Sequence, residues 1–194
     1  MLDATGEADK PGFDSRLPQG LIIGVGPVHL PEYLNRPQLV IETAENQYRL
    51  DERHRWAERL DENVARSLFQ QLSAGLVGVQ MLRYPWSYRQ IIDYQISVDI
   101  LAFHQASDGF SHLQVQWRIR QQEQNVLVRS FNCKLPADVD NPSDIVKVQS
   151  VCLFRLGVEI EAGLAELQHI TAGKDTGVNL SRDAQPADNG SVKK

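Results

Sequence analysis

Five histidines, two cysteines and an acidic cluster are the side chains of this 194-residue chain that could carry chemistry, and their spacing argues against catalysis. Only His104 and His112 lie close together in sequence. They fall in a segment that reads as a hairpin, whose expected register places them on opposite faces, so they are not expected to chelate one ion. Cys133 and Cys152 sit in a strand-like and a helix-like apolar run and read as small core residues, with no disulfide framework or metal site indicated. Nucleophilic catalysis needs a nucleophile, a base and an orienting group in one pocket, and neither a Gly-x-Ser-x-Gly elbow nor a comparable frame is present. Gly24-Val25-Gly26-Pro27 is a poor phosphate loop: His29 stands where a third glycine belongs, Pro27 removes a backbone donor, and no helix opens there. Asp51, Glu52, Asp61 and Glu62 alternate with Arg53, Arg55 and Arg59, which reads as a solvated mixed-charge surface, or else as the polar rim of a protein contact. The chain is therefore not expected to be an enzyme, and no catalytic, cofactor or metal residue is assigned.

Composition narrows the classes further. A hydrophobic content of 42% over this length suits one domain with a real core. A net charge of -5 with scattered arginines argues against nucleic acid, which needs clustered cations to displace counterions from phosphate. No segment reaches the ~20 apolar residues of a membrane span. Residues 1–20 and 171–194 are polar and poor in large apolar groups, so both are expected to be a mobile lead and tail around an ordered domain at 21–170. The polar lead lacks a signal-peptide core, which leaves a cytoplasmic protein or a mature chain whose targeting segment has been removed.

The elements that would position these residues make an α+β pattern. Leu21 to Leu30 reads as a strand ending near Pro31. Leu39–Thr43 and Gln47–Leu50 flank a short polar break and form a hairpin. Asp61 is the expected N-cap of a first helix, whose Val64, Leu68, Leu72 and Leu76 make one apolar stripe widened by Ala65 and Phe69. Gln80–Tyr84 is a short strand whose separation by a helix permits a parallel crossover.

Tyr94 to Arg120 is a hairpin turning at Asp108-Gly109. With Ser107 facing Phe110, Ile96, Val98, Ile100, Ala102 and His104 share the core face with Leu113, Val115, Trp117 and Ile119, and Asp99 lies directly opposite Arg118. Leu101 and Phe103 then sit on the mostly polar face, where a partner would cover them. Val126–Leu135 is another strand. Asn141-Pro142 opens a closing helix with a stripe through Ile145, Val148, Cys152, Leu156, Ile160, Leu164 and Leu167. A second stripe, Val151, Phe154, Val158 and Ala162, means burial on two sides or contact with another subunit. The fold expected is a single α+β domain, a mixed, mostly antiparallel sheet covered by two main helices.

Trp56, leading into the first helix, reads either as a core anchor or as an interface residue, where tryptophan is enriched. As a buried anchor it would lose ~3 to 5 kcal/mol on truncation to alanine. Trp56, Leu101, Phe103 and Phe154 are the candidate partner or oligomer surface.

The succession Val25-Gly26-Pro27-Val28, Leu30-Pro31-Glu32-Tyr33-Leu34, Arg36-Pro37-Gln38, Trp56-Ala57 and Leu60-Asp61-Glu62-Asn63 resembles the ABC-type transport auxiliary lipoproteins of the PqiC or YmbA type, from about Leu21 to Ile170. The resemblance implies a non-catalytic periplasmic domain tethered to the outer membrane of a Gram-negative bacterium by a lipidated N-terminal cysteine. It implies work with an MCE-domain protein in intermembrane lipid transport, as a homo-oligomeric ring or docking collar that supports membrane integrity. No cysteine precedes the domain, so the signal peptide and lipobox are expected to have been removed. The alternative is a module that itself carries a lipid or small molecule, which needs an enclosed apolar cavity. Leu101, Phe103 and the second stripe of the closing helix are its only candidate lining.

Overall fold

Side-chain alternation in the first strand sets the layers of the molecule. In the computed structural model, which describes residues 17–175 except Asn46 and side chains as far as Leu167, strand β1 (Ile22–His29) buries Ile23 and Val25 completely on one face. Gly24 and Gly26 fall on the other. Strand β2 (Gln38–Ala44) pairs antiparallel with β3 (Gln47–Arg55), helix α1 spans Leu60–Gly75, and β4 (Gln80–Arg83) runs parallel to β1. Then come β5 (Tyr94–Gln105), β6 (Phe110–Gln121), β7 (Gln124–Pro136) and helix α2 (Pro142–Asp175). Most of the lead and tail lie outside the described residues. Within them, Leu17 is buried in the core and α2 continues five residues past the expected boundary at 170.

Strand β5 organises the seven-stranded sheet. Its first half pairs parallel with β1, its last residue Gln105 pairs parallel with Ile41 of β2, and its opposite edge carries the antiparallel β6 and then β7. The sheet is thus mixed and both helices pack on one face of it. The stripe Val64, Leu68, Leu72 and Leu76 on α1 is buried as the spacing requires. Beside it runs a buried polar edge, Asn63, Ser67 and Gln71. The Gln71 side-chain amide donates to the Phe154 carbonyl at 2.8 Å, and Gly157 lies against it so closely that any Cβ there would meet the amide at 2.2 Å.

Helix α2 is fastened to the sheet in three ways. Cys133 of β7 and Cys152 of α2 form a disulfide. Trp117 of β6, fully buried, lies under Gly163 and donates its indole N–H to Glu159 at 3.1 Å. Arg129 pairs with Glu166. The disulfide corrects the reading of two unbonded core thiols: both cysteines are buried as expected, but the packing of α2 across β7 brings their Cα atoms to 5.7 Å.

Four further expectations are corrected. Helix α1 begins at Leu60 with Arg59 at the cap position, because the Asn63 N–H closes the first turn onto the Arg59 carbonyl. Asp61 instead lies inside that turn and accepts from Arg59, whose guanidinium holds the carboxyl below its usual range. By contrast, Asn141 does cap α2, its Oδ1 accepting from Asp144 N–H at 3.3 Å.

The β5–β6 hairpin turns through three residues rather than two, with the Ala106 N–H donating to Phe110 and Gly109 at φ 82°. A bulge then adds Leu101 between the pairs Ile100–Val115 and Ala102–Gln114. Past an extra residue every side chain changes face. Phe103 therefore joins the core opposite Leu113, whereas His104 leaves the expected core face and pairs directly with His112. Arg118 lies opposite Ser97 and reaches Asp99 diagonally.

Candidate functional site

With both helices on one side, the other face of the sheet is open and is the candidate surface. Gly24 and Gly26 open it to an aromatic segment. A Cβ at Gly24 would stand 2.7 Å from the Trp86 ring, and one at Gly26, where φ is 118°, 2.6 Å from Tyr84 Cβ. The Gly-Val-Gly pattern is thus a seat for the β4–β5 connection, which lies on β1 where only glycine leaves room. Gly24→Val is expected to lower stability by about 1–3 kcal/mol, read by urea unfolding, with the near-ultraviolet tryptophan signal altered. An unchanged spectrum would show that Trp86 does not rest there.

Next to this segment a polar cleft of about 260 Å³ is lined by Pro27, His29, Ser97, Asp99, Arg118 and Arg120 among others. Its charges are already matched internally. Asp99 accepts from Arg118 and contacts His29 Nδ1 at 2.7 Å, while Arg120 pairs with Glu123 at 3.0 Å. Such a surface suits hydrogen bonding to another protein better than capture of an apolar molecule.

Further along, at the β2–β5 junction, His104 is buried and stacks on His112 with ring centroids 5.8 Å apart. Glu42 lies 3.3 Å from His104 Nε2, and the Tyr33 hydroxyl lies 3.2 Å from Nδ1. A neutral imidazole satisfies both contacts, donating to Glu42 and accepting from Tyr33. Tyr48 stacks on Tyr33 at 4.5 Å and closes the cluster. Burial pushes His104 below its ordinary value, with His112 adding to the effect and the charges of Glu42 and Asp108 opposing it. Burial likewise holds the Tyr33 phenol well above its ordinary value.

Because the folded state disfavours the imidazolium, the unfolded chain binds more protons once pH falls below the unfolded imidazole value of 6.5. Stability conferred by His104 is therefore complete above that value and is lost as pH falls from there towards the lowered folded value. Melting curves between neutral pH and the onset of carboxylate titration should show this decline, and His104→Gln should flatten it. An equal slope in both proteins would show that this imidazole is not responsible.

The four residues proposed as a surface do not form one exposed patch. Trp56 is half-buried and stacks on Phe103 at 6.4 Å, with its backbone N–H donating to the Pro37 carbonyl, so it anchors the approach to α1. Its partial exposure reduces the expected cost of Trp56→Ala to about 2 kcal/mol, measurable by urea unfolding. Phe103, at 2% exposed, is a correction: it is core rather than surface, for the register reason given above. Leu101 projects from the bulge and is 58% exposed. Phe154 is half-buried at the α1–α2 contact. These residues do not line one cavity. The histidine pair was missed because its meeting depends on a bulge that no residue type marks, and the aromatic seat because its glycines were weighed only as a phosphate loop. Among the described residues no group of three or more His, Cys, Asp or Glu side chains could hold a metal ion, and no helix is long and apolar enough to cross a membrane.

Solved structures share this architecture. One, described only as an uncharacterised protein, is 25% identical, with a TM-score of 0.60 over 77% of this chain and 92% of its own. A second, from Xanthomonas campestris, is 12% identical, with a TM-score of 0.65 over 81% and 88%. No curated protein matches the chain. The family model described as an ABC-type transport auxiliary lipoprotein component matches residues 2–161, a span that runs from ahead of β1 into α2 and takes in the whole sheet. The chain, a seven-stranded sheet with two helices on one face, therefore belongs to the ABC-type transport auxiliary lipoprotein family.

Proposed function

We propose that this protein is a non-catalytic, periplasm-facing subunit of an MCE-type intermembrane lipid transport system, held to the outer membrane by an N-terminal lipid and docking to an MCE-domain protein. The observation that carries this reading is the family match over residues 2–161. The buried Cys133–Cys152 disulfide supports an oxidising compartment, since such bonds persist outside the cytoplasm and are rare within it. Docking falls to the open face of the sheet, where Leu101 and Val128 are among the exposed apolar residues. The long edge strand β7, paired among the described residues with β6 alone, offers a surface for assembly of copies into a ring.

The test is crosslinking and co-purification of the full-length, tail-tagged protein from native cell envelopes, with partners identified by mass spectrometry. Recovery of an MCE-domain protein is expected, and Leu101→Asp should reduce its yield without changing the melting temperature. Repeated recovery of cytosolic proteins alone would overturn the assignment.

A further inference from the structure

The connection between β4 and β5 exposes more large apolar surface than any comparable stretch among the described residues. Tyr84 is 50% exposed, Tyr88 88% and Ile91 77%. It is nonetheless built on a firm base: Trp86 rests on Gly24 and meets the Tyr84 ring edge-on at 5.3 Å, and Gln90 N–H closes a turn onto the Ser87 carbonyl at 2.9 Å. That turn presents Tyr88 and Arg89 at its tip, with Arg89 Nε donating to the Tyr88 hydroxyl at 3.0 Å.

Charge distinguishes this segment from the rest of the molecule. From Gln80 to Ile92 there are two arginines, Arg83 and Arg89, and no acidic residue, in a chain of net charge -5. Neither arginine pairs with a carboxylate among the described residues. The first acidic residue, Asp93, is engaged at the base, where its Oδ2 accepts from Ile22 N–H at 2.7 Å and its own N–H donates back to Ile22. Ile22, where β1 begins, is therefore tied to the stem of this loop.

We propose that residues 84–91 form a membrane-contact loop that seats on an anionic phospholipid surface. Tyrosine and tryptophan are favoured at the headgroup level because one end of the ring is apolar and the other is polar, and unpaired arginines add attraction to anionic lipid. Ile91 supplies an aliphatic group that reaches past the headgroups. A tether on the N-terminal segment would keep the loop near the bilayer, a step that rests on the reading above, but binding by the loop itself needs no tether.

The test uses the full chain without acylation, mixed with vesicles of phosphatidylglycerol and phosphatidylcholine in equal parts or of phosphatidylcholine alone. Bound protein is measured by co-flotation, and its mass in solution by sedimentation. Wild-type protein is expected to favour the anionic vesicles by roughly twentyfold, and Arg83→Gln/Arg89→Gln to abolish that preference. Tyr88→Ser/Ile91→Ser should weaken binding by roughly tenfold or more with no change in melting temperature or mass. No flotation of wild-type protein with anionic vesicles, or equal flotation of wild type and Tyr88→Ser/Ile91→Ser, would overturn the proposal. A fall in oligomeric mass in that variant would also overturn it, by showing that the loop meets a second copy. Because no transport partner is present, these outcomes stand apart from success or failure of the envelope crosslinking.

Discussion

Trp117→Ala is expected to lower the free energy of unfolding by about 4 kcal/mol, the largest loss of any substitution considered. The indole is fully buried between the sheet and α2, and the space for it exists only because residue 163 is glycine: a Cβ there would stand 2.6 Å from the ring. Truncation leaves a cavity beneath a helix that cannot easily collapse into it, since α2 is also held by the disulfide. It also strips Glu159 of its indole donor. Trp117→Phe should retain most of the packing and lose about 1–2 kcal/mol, isolating the hydrogen bond and the missing ring. Urea unfolding measures both. A loss below about 1 kcal/mol for the alanine variant would mean that α2 does not pack over Trp117 as described.

Cys133→Ala/Cys152→Ala is expected to cost about 3 kcal/mol. The bond closes a loop with a sequence separation of 19, and a crosslink of that span removes roughly this much chain entropy from the unfolded ensemble. In a protein of this size such a loss corresponds to a fall in melting temperature of about 6–12 °C. The same fall should follow reduction of the wild-type protein, and reduction should leave the double variant unchanged. Non-reducing mass analysis showing two free thiols in protein from the native envelope would refute the bond and with it the compartment argument.

Much of the fold was legible from local pattern. The stripe on α1, the Asn141-Pro142 start of α2, the β2–β3 hairpin and the parallel placement of β4 follow from periodicity, capping and the length of a crossover, all properties of contiguous residues. Register was less legible. The three-residue turn at Asp108-Gly109 and the bulge at Leu101 each insert one residue, and together they leave Ile96 to Ile100 on the expected face while exchanging Ala102, Phe103 and His104. Such a bulge answers to pairing on both edges of β5, with β1 and β2 on one and β6 on the other, which no window along one strand contains.

The same division separates fold class and family from the long-range contacts. Periodicity, turn and capping residues and the ordered family motifs are local to the sequence, and by themselves they determined the α+β class and the resemblance to the family that the match over residues 2–161 shows. Only the tertiary structure decided that Cys133 bonds Cys152, that His104 stacks on His112, and that Gly24 and Gly26 seat Trp86 and Tyr84. Each of these is a contact between segments whose approach is set by how the helices and strands pack. Secondary structure depends mainly on neighbours in the chain, whereas a contact between distant residues exists only once the whole sheet has chosen its order and register.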